Sequence, residues 1–116
     1  MLRTAAEMAV EYRERMRGGN GTIVIKNLFK QGELKGKARL VAEITIPPGG
    51  SIGFHQHDQE EEIFYFLSGQ GRVTDQEVVK EVTAGDAMLT GGGNGHAVEN
   101  TGTDPLVLIA IILVYA

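Results

Sequence analysis

From Thr22 to Tyr115 the chain reads as short β-rich segments cut at close intervals by Gly, Pro, Asn and Asp. The segments are Thr22–Phe29, Ala38–Ile46, Ser51–His57, Glu61–Leu67, Gly71–Thr74, Val78–Val82, Ala87–Thr90, His96–Asn100 and Leu106–Tyr115. No helical period separates them, which excludes an alternating strand–helix design and predicts an all-β sandwich or barrel. The 16 glycines among 116 residues, about twice the usual ~7%, show no three-residue period and fall between the apolar runs. They read as turn residues.

The N-terminal stretch reads differently. Thr4 followed by Glu7 forms a capping-box pattern, Ala5, Met8, Tyr12 and Met16 recur at helical spacing, and Arg13, Arg15 and Arg17 suit a helix C-terminus. Residues 4–17 are therefore predicted as a short helix, stopped by Gly18-Gly19-Asn20-Gly21. The expected organisation is a helical arm over 1–21 and one barrel domain over 22–116.

Two strands are apolar on both faces, Glu62–Leu67 and Leu106–Val114. Each needs cover on both sides. The barrel interior supplies one cover, and a second sheet, the N-terminal segment or another subunit must supply the other, which motivates a homodimer prediction.

Net charge is −4, which argues against nucleic-acid binding. The charge is unevenly placed: residues 1–39 hold nine basic and four acidic side chains, and the remainder two and eleven. One reading of the basic third is an anion-binding arm; the expected one is packing against the acidic remainder, in the same subunit or a partner's. Met1–Glu11 lacks the apolar stretch of a signal peptide, and Leu106–Ala116 is too short for a membrane-spanning helix. A cytoplasmic location away from membranes is expected.

The absence of cysteine rules out disulfides, thiolate metal sites and a thiol nucleophile. Any metal must be held by nitrogen and oxygen. The three histidines are His55, His57 and His96. Two residues apart on a strand, His55 and His57 point to one face; Glu62 opens the next strand and His96 opens a later one. Singly, each has an ordinary reading: surface polarity for the pair, a hydrogen-bonded structural residue for His96, a solvated turn for Glu60-Glu61-Glu62. Together they offer three imidazoles and a carboxylate, a set suited to divalent manganese, iron, nickel, cobalt or zinc.

The spacing Gly49-x5-His55-x-His57-x4-Glu62-x6-Gly69, followed by Gly85-x5-Gly91-x-Gly93-x2-His96-x3-Asn100, resembles the paired motifs of the cupin superfamily. The two blocks cover nearly half the chain, and the step to Gly69 selects Glu62 over Glu61. One departure is Gly91, where the second motif usually carries proline. Glycine gives the loop Gly91–Gly95 more freedom.

The resemblance implies a double-stranded β-helix, or jelly-roll barrel, holding one divalent transition metal on His55, His57, Glu62 and His96. Alternation then places Phe64 and Phe66 inside, with Met88 as a further pocket-lining candidate. A small anionic organic ligand fits a site of this charge. The leading functional reading is a metal-dependent enzyme on a small carboxylate or dicarbonyl compound, of decarboxylase or dioxygenase type. The alternatives are a sugar or sugar-phosphate isomerase or epimerase, which needs the N-terminal basic segment at the site's mouth, and a non-catalytic metal-dependent binding protein. Arg39 and Glu43 share a face of the Ala38–Ile46 strand, either lining the barrel or forming a solvent-facing charged pair. No catalytic residue is assigned.

Overall fold

The computed structural model describes residues 1–115; Ala116, the last residue of the expected domain span, lies outside them. Ten strands follow one another: β1 (Ala9–Glu14), β2 (Thr22–Phe29), β3 (Ala38–Ile46), β4 (Ser51–Gln56), β5 (Glu60–Ser68), β6 (Gln70–Asp75), β7 (Val78–Thr83), β8 (Ala87–Gly91), β9 (Gly95–Asn100) and β10 (Leu106–Val114). The ranges of β2 and β3 match expectation residue for residue, and the other predicted strands differ by one residue at one end or, for β5 and β6, at both. All pairs are antiparallel.

The strands form two sheets, β1-β2-β3-β10-β5-β8 and β4-β9-β6-β7. Period-2 alternation decides what faces inward. Along β10, Leu106, Leu108, Ala110 and Ile112 are buried, while Val107, Ile109 and Ile111 on the outer face are half-buried. The inward residues meet Ile44, Ile46, Phe64 and Phe66 of the same sheet and Ile52, Val73 and Val98 of the other. Register sets the small Ala110 between Ala42 and Phe64.

The predicted N-terminal helix is absent. The Thr4–Glu7 signal does operate, with the Thr4 amide donating to Glu7 Oε1 at 3.2 Å, but it closes only a 3-10 turn over Ala5–Glu7. Ala9–Glu14 then pairs with β2 over its full length. An open sheet edge offers each of these residues a ladder partner, and that outweighs a weak helical preference. The presumed stripe is scattered as a result: Tyr12 is 71% exposed, whereas Met16 packs on the core. Arg15 and Arg17 lie not at a helix end but in left-handed backbone, at φ 50° and 55°.

The turn carrying these arginines sits directly on β4. A Cβ on Gly53 would fall 2.0 Å from the Arg17 carbonyl oxygen, and one on Gly19 would fall 2.1 Å from that of Ser51. Only glycine allows this approach, which closes one end of the barrel with the N-terminal segment.

Within the chain, the basic third makes most of its ion pairs internally. Arg3 pairs with Glu33 and Arg13 with Glu11, both inside the segment; among the described residues Arg39–Glu60 is the ion pair that crosses. Arg3 also donates to the Leu28 carbonyl and lies over the Phe29 ring, anchoring the N-terminus to the end of β2. No helix among the described residues is long and apolar enough to cross a membrane.

Two predictions test this packing. Leu108→Ala removes a fully buried side chain and is expected to cost about 2–5 kcal/mol in chemical denaturation. Leu67→Ala, at a position 41% exposed, should stay within about 0.5 kcal/mol of the parent. The Arg3 guanidinium, aided by the Lys30 amide, holds the Glu33 carboxyl at about 2. A depressed carboxyl adds stability that is complete above its unfolded value near ~4.3 and is lost as pH falls toward 2. An NMR titration of Glu33 should therefore show a midpoint near 2, returning toward the ordinary range in Arg3→Gln.

Candidate metal centre

The structure brings His55, His57, Glu62 and His96 together, with one donor atom from each lying within 4.8 Å of the others. His55 lies one residue before the end of β4 and His57 directly follows that strand; Glu62 comes from β5 and His96 from β9. The last three are buried and His55 is half-buried. The four therefore come from both sheets, and closure of the barrel assembles them.

Each imidazole is oriented by what its Nδ1 meets. His55 Nδ1 lies 2.8 Å from the Gly53 carbonyl, His57 Nδ1 2.5 Å from Glu60 Oε2, and His96 Nδ1 2.9 Å from the Thr90 hydroxyl. The carbonyl and the carboxylate accept protons, so they set the Nδ1–H tautomer of His55 and His57 and turn both Nε2 lone pairs inward. Nε2 of His96 then stands 3.1 Å from that of His57 and 3.2 Å from that of His55. Glu62 Oε1 is 2.8 Å from His57 Nε2 and 3.0 Å from His96 Nε2.

Four electron-pair donors facing one another at these distances repel unless a proton or a metal cation sits among them. Three imidazoles and a carboxylate are a fitting donor set for a divalent transition ion. Without one, the local charges settle the protons. Burial pushes the Glu62 carboxyl up, but hydrogen bonds from His57 and His96 outweigh it and leave it below the usual range. The bond to Glu62 raises His57, and burial lowers His55.

A cavity of about 100 Å³ adjoins the cluster. Its lining includes His55, His57, Glu62 and Phe64 and the apolar Leu40, Ile44, Ile52 and Ile112. The N-terminal segment contributes Glu11, Arg13, Met16 and Arg17. Arg39 lines it as well.

Phe64 lies where the sequence places it and also stacks on His96, with ring centroids 4.7 Å apart. The other two proposed lining residues lie elsewhere. Phe66 is one step further along β5, fully buried in the core, and Met88 on β8 lines a separate surface groove with Val73 and Val82. The alternation is right for both, but distance along the strand and across the sheet takes them away from the donors.

Arg39 and Glu43 neither share a face nor pair. Ile112 and Leu113 of β10 oppose Leu40 and Ala38, so Arg39 is an extra, bulged residue. The bulge turns its side chain to the cavity. Glu43 stays in regular register, opposite Lys26 and Ile109 on the outer face.

Gly91 is explained by space. A Cβ there would lie 2.5 Å from Glu61 Cβ. The loop that follows is stitched down: Gly93 donates to the His57 carbonyl at 2.9 Å, His57 to Asn94 at 3.0 Å, and Gly92 to Glu60 at 3.2 Å.

Glu60, Thr90, Arg13 and Arg17 did not emerge from the sequence as site residues. For Glu60 a signal existed, since alternation places it on the same inward face as Glu62. A carboxylate largely withdrawn from water there needs a partner.

The chain belongs to the cupin family: the family model for the cupin domain matches residues 42–112. It is 37% identical over 113 residues to an oxalate-binding protein of Thermotoga maritima, covering 97% of this chain and 93% of that protein. A crystal structure of a predicted oxalate decarboxylase, also from Thermotoga maritima, superposes with a TM-score of 0.93 at 37% identity, covering 98% of this chain and 99% of that one. The oxalate decarboxylase of Bacillus subtilis is 33% identical over 75 residues, which is 60% of this chain and 20% of that protein.

Asn100, which closes the second motif, is not a donor to the centre. Its Nδ2 donates to the Ile46 carbonyl at 2.9 Å and the Asp104 carbonyl at 2.8 Å, and its Oδ1 accepts from the Gly102 amide at 2.9 Å. Asn100→Ala should lower stability by about 1–3 kcal/mol in a denaturant melt, since it strands buried backbone groups. Metal content, read by elemental analysis, should not change.

Proposed function

We propose that this cupin holds one divalent transition-metal ion on His55, His57, Glu62 and His96 and takes a small carboxylate or dicarbonyl compound in the adjoining cavity. The observation that carries the reading is the juxtaposition of four convergent donors with a cavity of about 100 Å³ that Arg13, Arg17 and Arg39 line. Four of the donor pairs stand 2.8–3.2 Å apart and all four donors lie within 4.8 Å of one another, close enough that one divalent ion could be shared among them. A bound ion would act as Lewis acid and template for an anionic oxygen ligand. Arg17 forms no ion pair among the described residues, which leaves its charge available to the ligand's far end.

Arg13 and Arg17 bring cations to the cavity, as a sugar phosphate would require, so that class stands as the alternative ligand.

Decarboxylation or oxygen insertion is the chemistry we propose the small carboxylate or dicarbonyl compound undergoes. One observation favours the non-catalytic reading instead. The carboxylates beside the site that are not donors are both held ionised: Glu11 by Asn27 and Arg13, and Glu60 at about 2 by Arg39. Neither is poised as a general acid.

The outer face of the larger sheet supports the homodimer. Val41, Ile111, Ile63 and Leu89 lie in one row across β3, β10, β5 and β8. Light scattering should give twice the 12.5 kDa chain mass, and Ile63→Asp should shift it toward the single chain. A monomeric mass for the parent protein at micromolar concentration removes this proposal.

The functional test is a panel of small acids, oxalate included, offered to protein loaded with manganese, iron, cobalt, nickel or zinc. Calorimetry should detect binding that needs the ion and disappears in His57→Ala, with an affinity loss of about tenfold or more in Arg17→Gln. Consumption of the acid supports the enzyme, and tight binding without change supports the binding protein. A metal-loaded chain that neither binds nor consumes any member sinks both.

A further inference from the structure

Glu60 is a half-buried carboxylate that neither motif block uses as a donor, yet it joins the cavity-lining Arg39 to the centre. Its two oxygens accept from Arg39 Nε at 2.7 Å and Arg39 Nη2 at 2.8 Å, and Oε2 also meets His57 Nδ1 at 2.5 Å. His57 Nε2, on the far side of the ring, reaches Glu62 Oε1. Arg39, Glu60, His57 and Glu62 therefore form one continuous chain.

We propose that Glu60, clamped by Arg39, is a positioning residue for His57 and sets how tightly the four-donor centre holds a divalent ion. The inference rests on the metal-site reading above and adds to it two residues that the family motifs do not specify. A carboxylate on Nδ1–H fixes the tautomer, fixes the ring plane and makes Nε2 a stronger donor. Of the three histidines, His57 alone has a charged partner there; His55 has a carbonyl and His96 a hydroxyl.

Arg39 is needed because Glu60 and Glu62 flank the same imidazole from opposite sides. Two carboxylates beside one ring repel each other, and the guanidinium offsets one of them. The two-point grip also prevents Glu60 from rotating to solvent. The bulge in β3 makes the grip possible, since regular pairing would turn Arg39 to the outer face. A bulge that spends a ladder position to aim one arginine at one carboxylate is consistent with a role beyond folding.

The test compares the parent with Glu60→Gln, Arg39→Gln and, as a control on the same strand, Glu61→Gln. Each is titrated with cobalt(II) against a chromophoric chelator, and the visible spectrum of the cobalt form is recorded. Glu60→Gln should weaken affinity about 10–100-fold and alter the spectrum. Arg39→Gln should produce a smaller loss in the same direction, and Glu61→Gln should match the parent. Melting of the metal-free proteins separates this from a folding defect, because a merely structural role would lower the melting temperature and leave the spectrum unchanged. Arg39, at a half-exposed position, keeps the test open if Glu60→Gln folds poorly.

Affinity within about threefold of the parent and an unchanged spectrum in both variants would overturn the proposal. Failure of the parent itself to bind any divalent ion would overturn the metal-site reading instead, a result the variants cannot mimic.

Discussion

Glu62 stands on the inward face of a strand whose next two inward residues are Phe64 and Phe66, both buried. A carboxylate there loses its hydration, and an isolated one would be protonated or expelled. Much of the surrounding structure answers that cost. His57 and His96 donate to Glu62 or share a cation with it, Glu60 and Thr90 orient those rings, and Phe64 stacks on one of them. The polar cluster is satisfied throughout: no buried side-chain nitrogen or oxygen among the described residues lacks a partner.

The barrel makes this cluster rigid. Donors arrive from both sheets, so their spacing depends on how the sheets close and not on one loop. Hydrogen bonds between the Gly91–Gly95 loop, His57 and Glu60 add a second fixing. Apolar side chains line part of the cavity, and Arg13, Arg17 and Arg39 bring positive charge to it. The centre comes from β4, β5, β9 and His57, and part of the cavity lining from the chain before β2.

Much of this was legible in the residues. Alternation in Glu62–Leu67 and Leu106–Val114 places the core, and the spacing of His55, His57, Glu62 and His96 marks the four residues that could hold a metal. Three features were not. The segment Ala9–Glu14 carries a helical pattern weaker than the attraction of an open β2 edge. Arg39 reaches the cavity only through a bulge, which shifts facing by one residue and leaves no mark in the pattern. Gly91 suggests freedom by its composition, whereas its position against Glu61 demands closeness.

By itself, then, the sequence determined the β architecture, the family and the four residues able to hold a metal, because periodicity and motif spacing are local properties of the chain. The tertiary structure alone decided which further residues stand around them: Glu60 behind His57, Arg39 behind Glu60, and Arg13 and Arg17 in the cavity lining. Those relations join residues far apart in the chain or depend on a single register shift. Side-chain direction in a strand reverses with every residue, so only the closed barrel could settle them.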